Sequence, residues 1–265
     1  MEYAHLAAKK TGCVMVVRLN RPEKLNAINM ALAFELKDLL ARLKGDPVTR
    51  FVVFTGAGKA FSCGVEFSRE EMEKRYEKPE LSCERLWQIF GQEFMHTMEN
   101  LEQVTLAAVN GAAVGAGLCL AMNCDFRIAS EDAIFGIPEA NLGIFFTWGA
   151  TPRLTALIGP AKAKEMIMTC DNISAKEALA IGLVNKVVPP GELMRTCEDL
   201  VRKMEKKGPL ALRICKKVVN AASVARMSDL YVCEPELVER LMLSEDVKEG
   251  IAAFMEKRPP RFKGT

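Results

Sequence analysis

A stretch of 22 residues without a charged side chain, from Gln103 to Cys124, constrains the fold of this 265-residue chain most strongly. It holds three glycines within seven positions, two of them in Gly115-Ala116-Gly117. A membrane-spanning helix would be more uniformly apolar. A buried strand, a glycine-rich turn and a buried helix in succession account for the pattern better, so we predict that the chain does not span a membrane.

Strand and helix signals alternate along the first 150 residues. Val14–Leu19 and Phe51–Thr55 are short apolar runs typical of buried strands, whereas Met30–Leu43 has apolar residues at helical spacing. The highly charged segment Ser68–Glu84, which contains Pro79, predicts irregular structure. After about residue 150 helical patterns dominate, and the sequence shows no internal repeat. The order predicts one α/β domain with a helical C-terminal part.

Charge and histidine content exclude several classes of function. Lys and Arg number 36 against 34 Asp and Glu, and this net charge of +2 argues against a general nucleic-acid binder. The only histidines are His5 and His96, which argues against a histidine metal site or a Ser-His-Asp triad. We therefore expect no metal and no nucleic-acid partner.

The cysteines and the N-terminus indicate the compartment. The nine cysteines contain no CxxC pair and are odd in number, which favours reduced thiols. The N-terminal sequence MEYAHLAAKKTG lacks the apolar core of a signal peptide. We expect a cytoplasmic protein.

Two glycine-containing turns are candidate binding elements, Ser62-Cys63-Gly64-Val65 and Gly115-Ala116-Gly117. Glycine lets the backbone bend sharply and approach a ligand, and free amides after the turn can bind a developing oxyanion. If the two turns converge, they supply two N–H donors to one carbonyl oxygen. The alternative for Gly115-Ala116-Gly117 is a tight packing turn, and neither turn has the spacing of a nucleotide fingerprint.

Glu139 is a candidate base because it follows Ile137-Pro138 inside an apolar run. Partial desolvation there would raise the pKa of its carboxyl and make it a better base near neutral pH. The alternatives are a surface-loop glutamate and a structural ion-pair partner.

Longer motifs resemble signatures of the crotonase family, the enoyl-CoA hydratases and isomerases, over essentially the whole chain. These motifs are Asn20–Ala27, Gly56–Gly64, Ala108–Gly111, Cys124–Ala129, Gly182–Val188 and Glu249–Arg258. The resemblance implies an α/β fold, a crotonase-like spiral of ββα units over residues 1–200. It also implies a helical C-terminal trimerisation region, residues 201–265, and assembly as a homotrimer or a dimer of trimers.

The resemblance implies an acyl-CoA thioester substrate and no separate cofactor, since coenzyme A is part of the substrate. The backbone N–H groups of Val65, after Gly64, and of Ala116, after Gly115, would form the oxyanion hole. Coenzyme A would contact residues from three parts of the chain, Lys24, Leu25, Ala27, Cys63, Phe254 and Lys257.

Carboxylates distinguish members of this family, and this chain departs from the usual hydratase pattern. A typical hydratase has one glutamate two positions after the glycine-rich turn, where this chain has Cys119, and a second at Glu139. A thiol with an ordinary pKa of about 8.5 cannot act as an ionised carboxylate. As a nucleophile Cys119 would need a nearby base or cation, which Leu118 and Leu120 do not provide, so a buried thiol is favoured.

A further carboxylate position of some members, eight residues after Glu139, is Thr147 here. Its hydroxyl can hold a water or a substrate group but cannot serve as a base. With Phe145 and Phe146, Trp148 would form an apolar acyl pocket, and plain core packing is the alternative.

One carboxylate suits a proton shuttle better than water addition. We therefore predict an enoyl-CoA isomerase in which Glu139 moves a proton within a β,γ-unsaturated acyl-CoA. The alternatives are a hydratase that works with one glutamate and an acyl-CoA-binding homologue with little activity. A thioester hydrolase or a C–C bond cleaving enzyme also remains open, because all share an enolate.

Overall fold

The computed structural model describes residues 3–66, 81–224 and 242–262, together with residues 235, 238 and 239. The charged segment predicted to be irregular lies outside these residues except at its end, where a helix begins at Leu81. Parts of the predicted C-terminal region, including residues 225–234, also lie outside them.

Six strands form the larger sheet. They are β1 (Leu6–Thr11), β2 (Val14–Leu19), β3 (Phe51–Gly56), β5 (Val104–Val109), β7 (Phe126–Ser130) and β10 (Lys186–Val188). Their order is β1-β2-β3-β5-β7-β10. The pair β1 and β2 is antiparallel, and all the other neighbours are parallel.

Four short strands form a second sheet in the order β4-β6-β8-β9. They are β4 (Ala60–Ser62), β6 (Ala112–Val114), β8 (Ile134–Gly136) and β9 (Ile173–Ser174). The first three are parallel to one another, and β9 is antiparallel to β8. Each of β4, β6 and β8 follows directly on a strand of the larger sheet.

Eight helices are described. They are α1 (Met30–Lys44), α2 (Leu81–Glu99), α3 (Ala116–Met122), α4 (Ala150–Thr169), α5 (Ala175–Ala180), α6 (Leu193–Glu205), α7 (Pro209–Val224) and α8 (Glu245–Glu256). The chain therefore repeats a ββα unit three times, as β3-β4-α2, β5-β6-α3 and β7-β8-α4. This confirms the predicted spiral of ββα units, although no repeat is visible in the sequence.

The predicted one-sided helix over Met30–Leu43 is confirmed as α1. The apolar residues that carry the helical spacing are buried, Leu32, Leu36, Leu39, Leu40 and Leu43, whereas Phe34 on the other side is exposed. The Asn29 side chain caps the helix by accepting a hydrogen bond from the Leu32 N–H at 2.9 Å. Gly45 ends it, as the glycine and proline after Lys44 predict.

Two apolar layers cover the larger sheet, one on each face. Val52 and Phe54 of β3 join the layer that contains α1 and α3, whereas Phe51 and Val53 join the layer covered by α6. Successive side chains of a strand point to opposite faces, so both faces of β3 must be apolar. This explains the continuous apolar run that predicts the strand.

The helical character after residue 150 is confirmed, with β9 and β10 in addition. The predicted division between residues 200 and 201 falls inside α6 and stays a prediction. No helix among the described residues is long and apolar enough to cross a membrane. Seven described cysteines are free thiols, and no group of three or more His, Cys, Asp or Glu side chains in the described part of the chain is arranged to hold a metal.

Candidate active site

Three predicted site motifs follow three neighbouring strands of the smaller sheet. Gly64 and Val65 follow β4, Gly115 and Ala116 follow β6, and Glu139 follows β8. Because β4, β6 and β8 are parallel neighbours, their carboxyl ends lie at one edge. The sheet therefore brings together motifs that are about 75 residues apart in the sequence.

Two glycines keep the space between these strand ends open. Gly64 has φ of +97° and Gly115 has φ of +52°, conformations that strain any other residue. A Cβ atom on Gly64 would lie 3.5 Å from the Ala116 nitrogen, and one on Gly115 would lie 3.0 Å from Glu139 Oε1. Side chains at these positions would fill the space shared by the donors and the carboxylate.

The N–H groups of Val65 and Ala116 border this space. Ile28 pairs with Val65 through bonds that use the Gly64 carbonyl and the Glu66 N–H, which leaves the Val65 N–H on the opposite side of the chain. Ala116 is the first residue of α3, where an N–H has no partner within the helix. Within the described residues neither N–H has an acceptor, so both are available to a ligand oxygen.

Glu139 begins a short 3-10 helix, Glu139–Leu142, with Pro138 before it and Gly143 after it. Its Oε2 atom is buried and has no hydrogen-bond partner in the described part of the chain. Burial raises the pKa of the carboxyl to about 7, because desolvation disfavours the charged form, and a backbone hydrogen bond offsets only part of this. Such a group exchanges protons readily at neutral pH.

Cys119 and Thr147 occupy the other two positions considered in the sequence. Cys119 lies one turn into α3 and is buried, and its N–H donates to the Gly115 carbonyl at 3.0 Å. Thr147 lies before α4, half-buried, and its carbonyl accepts from the Ala150 N–H. Neither residue supplies a second carboxylate.

The predicted coenzyme A loop lies alongside Cys63. The Cys63 N–H donates to the Leu25 carbonyl at 3.1 Å, and its thiol donates to the Lys24 carbonyl at 3.5 Å. The Lys24 ammonium is exposed, 3.7 Å from Glu66, whereas Ala27 is buried. The structure therefore places this loop beside the strand end that carries Val65.

Comparison with known proteins agrees with this geometry. The model of the enoyl-CoA hydratase/isomerase family matches residues 9–265. The chain belongs to the enoyl-CoA hydratase/isomerase family. A curated relative, the short-chain-enoyl-CoA hydratase of Clostridium acetobutylicum, is 39% identical over 259 residues, which is 97% of each chain.

Solved structures of this family share the fold. An enoyl-CoA hydratase from Mycobacterium avium subsp. paratuberculosis is 26% identical, covers 99% of this chain and 100% of its own, and has a TM-score of 0.86. A monofunctional enoyl CoA isomerase from M. smegmatis is 29% identical, covers 86% of this chain and 98% of its own, and has a TM-score of 0.70. The predicted α/β, crotonase-like fold is thereby confirmed.

The other two residues predicted to contact coenzyme A, Phe254 and Lys257, lie at the end of the C-terminal helix α8. Phe254 is an exposed residue near the end of α8, and Lys257 ends it in a left-handed conformation. Their contact with coenzyme A stays a prediction.

Sequence reasoning missed that α8 packs against the turn that carries Glu139. A Cβ atom on Gly250 would lie 2.7 Å from the Leu142 carbonyl carbon, and one on Gly143 would lie 3.1 Å from Asp246. The C-terminal helix α8 therefore packs directly against the 3-10 helix and the glycine that follows it. The glycine in Glu249-Gly250-Ile251 was the available signal, but only the fold shows what it contacts.

Trp148 has a clear structural role next to this site. It is buried, has φ of +59°, and covers Gly91 so closely that a Cβ there would overlap the indole. Its ring meets Trp87 edge to face with centroids 5.3 Å apart. Trp148 thus belongs to an aromatic cluster with α2, and the acyl pocket stays a prediction.

Proposed function

We propose that this chain isomerises enoyl-CoA thioesters, moving a β,γ double bond to the α,β position with Glu139 as the single acid and base. The observation that carries the proposal is one buried carboxylate with a pKa of about 7, beside two backbone N–H groups that have no acceptor in the described part of the chain. This arrangement suits a proton shuttle through an enolate.

The proposed reaction uses only the Glu139 carboxylate and the two backbone N–H groups. Ionised Glu139 removes a proton from the α carbon, and the electron pair moves onto the thioester oxygen as a dienolate. The N–H groups of Val65 and Ala116 donate to this oxygen and stabilise its developing charge. Protonated Glu139 then returns the proton to the γ carbon, which leaves the double bond conjugated with the thioester and restores the carboxylate.

A pKa of about 7 fits both halves of this cycle. A group that must accept a proton and then donate it works best when its pKa is near the working pH. A second carboxylate would be needed only to hold and activate water, and the buried Cys119 takes that place here.

Hydration with one glutamate is the second candidate, favoured by the relative from Clostridium acetobutylicum that is named a short-chain-enoyl-CoA hydratase. In this case Glu139 would activate water for addition to a 2-enoyl-CoA. The same two N–H groups would stabilise the resulting enolate.

The contacts of coenzyme A with Lys24, Leu25, Ala27, Cys63, Phe254 and Lys257 belong to the same proposal. So do an acyl pocket that includes Thr147 and Trp148, and assembly as a homotrimer or a dimer of trimers.

The test compares 3-enoyl-CoA isomerisation with crotonyl-CoA hydration by the same preparation. We expect isomerisation to be faster, and Glu139→Gln to reduce it by about 10²–10⁴-fold, the usual contribution of a positioned acid or base. Glu131→Gln is the matched control and should retain activity, because Glu131 is an exposed glutamate directly after β7.

Rapid hydration that survives Glu139→Gln would contradict the isomerase proposal and the single-glutamate hydratase alike. Rapid hydration that is lost with Glu139→Gln would favour the hydratase. Tight coenzyme A binding without turnover of any thioester would indicate a binding homologue.

A further inference from the structure

Ser62, the last residue of β4, is fully buried and its hydroxyl joins two parts of the site. It donates a hydrogen bond to the Asn26 carbonyl at 2.8 Å and accepts one from the Gly64 N–H at 3.3 Å. One side chain therefore connects the loop before α1 to the turn that ends at Val65.

The Asn26 side of this connection is rigid. The Asn26 side chain is buried, accepts from the Arg21 N–H at 2.9 Å, and donates to the carbonyls of Ala57 and Ala60 at 2.9 and 2.8 Å. These bonds hold Asn26 at φ of +57°. The Asn26 carbonyl is thus a fixed point for the Ser62 hydroxyl.

The other side of the connection reaches both N–H donors. Gly64 precedes Val65, so its hydrogen bond to Ser62 orients the peptide before the first donor. A Cβ atom on Gly117 would lie 2.8 Å from Ser62 Cβ, so the first turn of α3, with Ala116, rests directly on Ser62. Ser62 contacts the supports of both donors.

We propose that Ser62 is a positioning residue that sets the separation and direction of the Val65 and Ala116 N–H groups. This inference shares one assumption with the proposed function, that the thioester oxygen accepts hydrogen bonds from these two N–H groups. Neighbouring contacts hold the turn after β4 without the hydroxyl. Arg21 pairs with Glu66 at 2.7 Å, and Ile28 donates to the Gly64 carbonyl at 2.7 Å.

The experiment removes the hydroxyl with Ser62→Ala in the full chain. Ser130→Ala is the matched control, because Ser130 is a buried serine at the end of β7 whose hydroxyl accepts from the Asp132 N–H at 3.3 Å. We measure kcat and KM for 3-enoyl-CoA isomerisation, the unfolding temperature, and the infrared carbonyl stretch of bound butyryl-CoA labelled with ¹³C at the thioester carbon. Butyryl-CoA has no double bond to move, so the stretch reports only the hydrogen bonds to its oxygen.

We expect Ser62→Ala to lower kcat by about 10- to 100-fold, as small displacements of catalytic groups do, with little change in KM. The carbonyl stretch should move back toward the frequency of free butyryl-CoA. Ser130→Ala should match the wild type in kcat and carbonyl stretch. If Ser62→Ala does not fold, Ser62→Cys, which keeps a weaker hydrogen-bonding atom, replaces it in the test. Its carbonyl stretch should lie between those of butyryl-CoA bound to the wild type and free butyryl-CoA, and a stretch equal to that of the wild type would overturn the positioning role.

A carbonyl stretch in Ser62→Ala equal to that of the wild type overturns the positioning role, whatever happens to stability. A wild type that binds butyryl-CoA without lowering its carbonyl frequency also overturns it, since the N–H groups then do not bind the thioester oxygen. A lowered frequency without isomerisation defeats only the proposed reaction, and the shift between wild type and Ser62→Ala then still decides the role of Ser62.

Discussion

A Cβ atom at Gly115 would lie 3.0 Å from Oε1 of Glu139. The same atom would lie 3.9 Å from the Gly64 Cα. Under the proposed function, the open space beside Gly115 is the place of the carbon next to the thioester carbonyl, between the Glu139 carboxylate and the N–H groups of Val65 and Ala116.

Gly115→Ala should abolish turnover because its methyl group fills that space. Its φ of +52° also strains an alanine, at about 1–3 kcal/mol. Gly12→Ala is the control, since Gly12 has φ of +58° but no atom within 4 Å of its Cβ position. Both variants should lose stability in urea unfolding, and only Gly115→Ala should lose activity. Equal activity in the two variants would show that the space is not the reaction site.

The rate of isomerisation should rise with pH through about 7. Burial raises the pKa of Glu139 to about 7, and the carboxyl must be ionised to remove the first proton. The measurement is kcat/KM for 3-enoyl-CoA between pH 5 and 9, which reports the base in the free enzyme. A rate independent of pH from 5 to 8 would contradict this role of Glu139.

Glu139→Gln should stabilise the fold at pH 8 but not at pH 4. The pKa of Glu139 is about 7 in the folded chain, against the ordinary value of 4.5 that applies to the unfolded chain. Between these two values the folded state binds more protons than the unfolded state, so the fold loses stability as the pH rises from 4.5 to 7. A difference of about 2.5 pKa units corresponds to about 3 kcal/mol. Urea unfolding at one protein concentration should show that the free energy of unfolding of the variant increases relative to that of the wild type over this pH range. An unchanged difference at all pH values would contradict the burial of the carboxyl.

The parts of this fold that sequence predicts are those set by local pattern. The buried strand β3 and the one-sided helix α1 have apolar residues at the spacing their surroundings require. The three turn motifs are visible because glycine and proline restrict or free the backbone at fixed positions.

What the sequence does not show is the second sheet. Its strands β4 and β6 are three residues each, too short for a periodic pattern, yet their pairing brings Gly64 to Ala116. The contacts of Ser62 with Asn26 and Gly117, and the packing of Gly250 against Leu142, likewise join residues more than 30 positions apart. Such contacts depend on the assembled fold, and a local signal such as the glycine at position 250 does not show which residue is contacted.

Cys119→Glu should increase hydration relative to isomerisation. It restores a carboxylate one turn into α3, where the resemblance to typical hydratases places one, and thus supplies both an acid and a base for water addition. The ratio of crotonyl-CoA hydration to 3-enoyl-CoA isomerisation should rise by about 10²-fold. Cys119→Gln has nearly the same size without the charge and should leave the ratio unchanged. Both should lower the unfolding temperature because Cys119 is buried.

Gly91→Ala should displace Trp148. In an open helix this change would stabilise by up to about 1 kcal/mol, but the new Cβ would overlap the indole, and overpacking of this kind costs about 1–3 kcal/mol. The net effect should be destabilising. Trp87 and Trp148 are the only tryptophans and are in contact, so the fluorescence spectrum should change with the position of the indole.

If Trp148 also lines the acyl pocket, its displacement should change the preference among 3-enoyl-CoA chain lengths, measured as kcat/KM for a series of substrates. Gly191→Ala is the control, because no atom lies within 4 Å of its Cβ position, and it should keep the wild-type fluorescence and preference. A changed fluorescence spectrum with an unchanged preference would remove Trp148 from the pocket while leaving its packing on Gly91 intact. Wild-type fluorescence and stability in Gly91→Ala would contradict the packing itself.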